Sequence, residues 1–105
     1  MELQKITDDQ HIKLRSIGFP YGSEYASLSV SLAIKWIRDN KKIEPIIQPY
    51  YPGYPNDKNL QYHVAIIEHD PDVDGDDLAD FNTYDKAESV ALNHMIKRLL
   101  NTIDK

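Results

Sequence analysis

The chain has 105 residues, with Lys+Arg 12 against Asp+Glu 17 and a formal net charge of −5. At 41% hydrophobic and 28% charged residues it has a globular composition, and its length fits a single domain, 1-105, with one modest core. Cys 0 excludes a disulfide framework, a thiolate zinc site and a cysteine nucleophile. No apolar run is long enough to span a membrane, and MELQKITDDQ has no apolar signal core. The expected setting is therefore reducing and cytoplasmic, with no membrane contact.

The charge is unevenly spread. From Asp70 to Asp85 there are seven Asp and no Lys or Arg, which leaves +2 for the rest of the chain. This balance argues against a general nucleic-acid binder, which needs a basic face.

Thr7-Asp8-Asp9-Gln10 reads as a capping box. It opens a helix from Asp8 to about Ser16, with Ile12, Leu14 and Ile17 as its apolar residues. Gly18 suits the position after a helix end, and Pro20 stops continuation. Leu28 to Asn40 has a helical stripe of Leu28, Leu32 and Trp36, widened by Ala33 and Ile37. Ser27 is the expected cap and Asn40 the expected left-handed terminator.

Ile43 to Tyr51 reads as a strand. Pro45 and Pro49 have the same parity, so both missing donors lie on one edge, and the strand must be a sheet edge. After the loop Pro52 to Asn59, Leu60 to Glu68 alternates as a second strand. Val64, Ile66 and Tyr62 are expected to face the last helix, with Trp36 buried against them. Asp70 to Asn82, spanning 70-82, reads as an acidic loop. Thr83 caps a last helix, Tyr84 to about Ile103, with a stripe of Tyr84, Ala87, Ala91, Met95 and Leu99. The fold class is α+β: an α-α-β-β-α order with an antiparallel hairpin covered by helices.

The helix end Trp36-Ile37-Arg38, the late start Phe81, Thr83, Tyr84 and Ala87, and the early end Lys13, Leu14, Gly18 and Phe19 form a pattern. It resembles a group of small uncharacterised proteins encoded in bacterial prophage and mobile-element regions. The resemblance implies a fold and a genomic context, and it carries no catalytic residue across. The helix–hairpin–helix order also invites comparison with double-stranded-RNA-binding domains, whose order is α-β-β-β-α. That comparison fails on two counts. No third strand is visible, and the last helix opens on Thr83-Tyr84-Asp85-Lys86 behind acidic residues that repel phosphate.

Three regions carry possible chemistry. Asp70-x-Asp72-x-Asp74-Gly75-Asp76 matches the first half of a calcium loop, with alternating carboxylates and a turn glycine. Its second half departs, since Asp77 and Phe81 replace the expected apolar residue and bidentate Glu. The competing reading is a solvated acidic loop. The hairpin tip sets Tyr50, Tyr51 and Tyr54 among Pro49, Pro52, Gly53 and Pro55, with Tyr62 the next ring along. Rigid tyrosines suit a protein-binding surface. Alternatively, these rings could stack on single-stranded nucleic acid beside Lys58 and the patch Lys35, Arg38, Lys41 and Lys42. His11, His63, His69 and His94 show no metal-ligand spacing, and there is no nucleophile motif or phosphate loop.

The expected function is thus a non-enzymatic interaction protein with no cofactor, binding an unknown protein partner through its hairpin. The second strand has a free edge in this reading. A homodimer through that strand, ordered 1-2-2′-1′, is the expected way to cover it.

Overall fold

The computed structural model describes residues 4–21 and 29–103. Three helices lie on one face of a three-stranded antiparallel sheet, in the order α-α-β-β-β-α.

The first helix, α1 (Asp8–Ser16), starts on the capping box. Thr7 Oγ1 accepts from the Gln10 amide at 3.1 Å, and Gln10 Oε1 accepts from the Thr7 amide at 2.9 Å. It ends in a Schellman motif. Gly18 takes φ 99°, and the amides of Gly18 and Phe19 donate to the carbonyls of Arg15 and Leu14. This turn folds Phe19 back under the helix, so Leu14, Ile17 and Phe19 are all buried.

The second helix, α2 (Val30–Lys41), is capped by Ser29, whose Oγ accepts from the Leu32 amide at 3.0 Å. Ser27 and Leu28, expected to cap and open it, lie outside the described residues. The left-handed terminator is Lys42 at φ 59°, two residues beyond the expected Asn40. The buried stripe is Val30, Ala33, Ile34 and Ile37. Leu32 and Trp36 flank it, half-buried. Trp36 therefore does not reach the sheet centre. Its ring packs edge-on against Phe19, with centroids 5.4 Å apart, while Lys41 Nζ lies over its face at 5.7 Å.

Strand β1 (Ile43–Tyr50) pairs with β2 (Gln61–Glu68), which pairs with β3 (Asp76–Phe81). β1 is a sheet edge, as its prolines require. The third strand corrects the expected acidic loop, whose second half is β3. Two physical causes hid it. Aspartate disfavours strands, and a bulge breaks the alternation. His63 pairs with Asp80 but Ala65 with Asp77, so one residue of β2 faces two of β3. Leu78 and Phe81 still pack against the core. Gly75 serves this approach rather than a cation loop, because a Cβ there would collide with the Ile66 carbonyl.

β3 also overturns the expected dimer. It occupies the β2 edge that a second copy was to use, so β2 has a neighbour on both sides within one chain.

Helix α3 (Tyr84–Ile103) begins at Thr83, whose Oγ1 accepts from the Lys86 amide at 3.3 Å. Ala87, Ala91, Leu92, Met95 and Ile96 are buried and cover Val64 and Ile66. Arg98 fastens this helix to the sheet. It donates to Glu68 Oε1 at 2.8 Å, to Asp76 Oδ2 at 2.5 Å and to the Asp74 carbonyl at 2.8 Å. His94 meets the same Asp76 at 2.9 Å. Among the described residues no helix is long and apolar enough to cross a membrane.

Candidate functional site

The helices cover only one face of the sheet. In β2, Val64 and Ile66 point to them, so Gln61, His63, Ala65 and Ile67 point away. By register, Glu44, Ile46, Gln48 and Tyr50 of β1 share that outer face. Ile46 and Ile67 are exposed at 43% and 39%.

The hairpin tip extends this face. Tyr50, Tyr51 and Tyr54 are exposed, with the rings of Tyr51 and Tyr54 6.4 Å apart and tilted. Lys58 joins those two rings around a shallow hollow. The loop is held by its own turns. The Asp57 amide donates to the Gly53 carbonyl at 2.9 Å, and the Asn59 amide to Asp57 Oδ1 at 2.9 Å. Tyr62 stands apart from this group. It faces the helices and meets Tyr84 edge-on at 5.8 Å, because its parity is that of Val64.

Below the tip, the sheet assembles a polar group the sequence reading missed. Asp80 accepts from the Tyr50 hydroxyl with one oxygen and meets His63 Nδ1 with the other at 2.8 Å. Asp77 lies 3.4 Å from His63 Nε2. With both ring nitrogens against carboxylates, the imidazolium is favoured. The His63 pKa is raised, first by the Asp80 hydrogen bond and then by Asp77. The Asp80 carboxyl is lowered in turn by Tyr50 and then His63, and the Tyr50 hydroxyl is raised by Asp80. These groups come together only through β3, so no linear spacing could have revealed them.

The acidic residues do not gather around a cation. Asp70 accepts from the Asp72 amide at 3.0 Å in a local turn, Asp74 offers its carbonyl to Arg98, and Asp76 is held by Arg98 and His94. Among the described residues no group of three or more His, Cys, Asp or Glu could hold a metal ion.

The basic residues divide. Lys41 stacks on Trp36, Lys42 donates to the Asp39 carbonyl at 2.9 Å, and Lys58 stays at the tip. Lys35 and Arg38 instead border a cleft on the helical side, whose floor is Glu88. Glu88 is 8% exposed, and burial pushes its carboxyl pKa up against the opposing hydrogen bond from Ser31. Its sequence signal was a Glu set between Ala87 and Ala91 in an apolar stripe.

The third strand removes one of the two objections to a double-stranded-RNA-binding arrangement. The other stands, since α3 still opens with Asp85 in its first turn, directly after the acidic strand β3. No family model, curated protein or solved structure matches this chain.

Proposed function

We propose that this chain is a small, cytoplasmic, non-enzymatic interaction protein of mobile-element origin, which binds a protein partner through its hairpin. The observation that supports this reading most is the tip itself. Tyr51 and Tyr54 are exposed side by side on a loop held by internal turns, and Tyr50 is exposed at the adjoining end of β1. Tyrosine presents a large contact area with few rotors to freeze, so such a surface loses little entropy on binding. Ile46 and Ile67 add apolar area on the open face next to it.

The experiment compares the intact chain with a Tyr51→Ser, Tyr54→Ser variant as bait in extracts of the source cell. One protein retained in fixed proportion by the first and lost by the second is the expected result. Equal retention by both baits overturns the reading.

A second reading, single-stranded nucleic-acid binding, is favoured by one observation: Lys58 beside the Tyr51 and Tyr54 rings. The acidic β3 strand near the tip opposes it. Oligonucleotide binding that weakens steeply with salt and disappears with the same variant would replace the first reading with this one.

A further inference from the structure

The cleft between α2, β1 and α3 lies on the opposite side of the sheet from the open face. Its volume is about 300 Å3, at the lower end for small-molecule sites.

Glu88 forms its floor where an apolar residue would serve the core better. A buried carboxylate without full hydrogen bonding is costly. It has roughly four acceptor positions to fill; besides Tyr84 from its own helix, its partner is the Ser31 hydroxyl, which reaches its two oxygens only at 3.4 and 3.3 Å. Lys35 and Arg38 border the cleft from one face of α2, yet neither is ion-paired to Glu88 among the described residues. The nearest carboxylate paired with Arg38 is Asp39, at 3.6 Å. Ile34 and Ile47 supply an aliphatic wall. Glu44 also borders the cleft, but its side chain alternates onto the outer face, where His69 meets it at 3.1 Å.

This arrangement discriminates by charge. A simple anion meets Glu88, and a simple cation meets Lys35 and Arg38. A molecule carrying both charges satisfies both ends. We propose that the cleft binds a small aliphatic zwitterion, with its ammonium on Glu88 and Ser31, its carboxylate on Lys35 and Arg38, and its carbon chain against Ile34 and Ile47.

The test is an amide NMR titration of the full chain. The probes are L-leucine and 6-aminohexanoate, which differ in charge separation, against hexylamine and hexanoate, which carry one charge each. Saturable shifts around Ser31, Arg38 and Glu88 are expected with at least one zwitterion. That zwitterion should bind roughly tenfold or more tightly than either single-charge analogue, the ratio expected for one charge-assisted hydrogen bond. Glu88→Gln and Lys35→Met should each lose that advantage. If Glu88→Gln does not fold, Ser31→Ala takes its place. Absence of saturable shifts with both zwitterions at high millimolar concentration overturns the proposal. So do equal affinities for the single-charge analogues, or unchanged binding in folded variants.

Discussion

At the scale of single residues, two titrating groups sit in opposite environments. His63 lies between Asp80 and Asp77 on the open face, and both carboxylates raise its pKa. A group whose folded pKa exceeds its unfolded value stabilises the fold fully below the unfolded pKa. That contribution disappears as pH rises through the folded one. NMR titration of the His63 ring should give a midpoint above the ordinary histidine value, and Asp80→Asn should lower it more than Asp77→Asn. Glu88 is raised for the opposite reason, since its surroundings disfavour its charged form rather than favour it. Burial raises its carboxyl pKa, so ionisation costs stability as pH rises from the usual Glu value through the raised one. Glu88→Gln removes that cost and keeps a polar group for Ser31. It should therefore melt higher than the native chain at neutral pH, with the gain vanishing in acid. A lower melting temperature at pH 7 would show that the charge is compensated within the chain. Gain of stability on removing Glu88 is what a residue retained for binding predicts.

At the scale of elements, the legible parts were those in which local chemistry decides. The Thr7 to Gln10 box, the Gly18 turn and the Thr83 cap are each contained in a few consecutive residues, and each forms as read. The β1 edge was legible because Pro45 and Pro49 remove donors wherever the strand is placed. Helix α2 was read with its stripe displaced: Leu32 and Trp36 flank the buried Val30, Ala33, Ile34 and Ile37. A wide apolar arc does not reveal which of its sides meets the core. β3 was illegible because nothing local favours it. Its aspartates are stabilised by distant partners, above all Arg98, which binds Asp76, the Asp74 carbonyl and Glu68. Arg98→Met keeps much of the apolar stem and removes these bonds. Amide exchange across Asp76 to Phe81 should then accelerate strongly while β1 and the first half of β2 remain protected. Uniform acceleration over the whole sheet would show that β3 has no separate opening. The carboxylate of Asp76 is held low, first by His94 and also by Arg98. Its contribution is complete above the usual Asp pKa and is lost as pH falls through the lowered value.

At the scale of the whole molecule, the sheet exposes two edges and one face, and the edges differ from the face in chemistry. Unpaired strand edges recruit further strands unless something prevents it. On the β3 side, Asp76, Asp77 and Asp80 line a strand already distorted by a bulge, so an approaching copy meets like charge and broken register. On the β1 side the protection is proline. Pairing with β2 uses the donors of Glu44, Ile46 and Gln48, and the opposite edge would need those of residues 45 and 49. Both are absent in Pro45 and Pro49. On the proposed reading the open face with its tyrosine tip is the surface left for a partner, and edge pairing between copies is expected to be suppressed. Light scattering at high micromolar concentration should give the mass of one chain. Replacing Pro45 and Pro49 together by Val restores both donors with little change in apolar volume, and Val favours strands. The variant should fold and associate as its concentration rises, and Lys substituted at Ile46 on the open face should not reverse that association. A variant that stays monomeric would show that the prolines are not what keeps the β1 edge unpaired. Association reversed by the Ile46 charge would place the contact on the face instead.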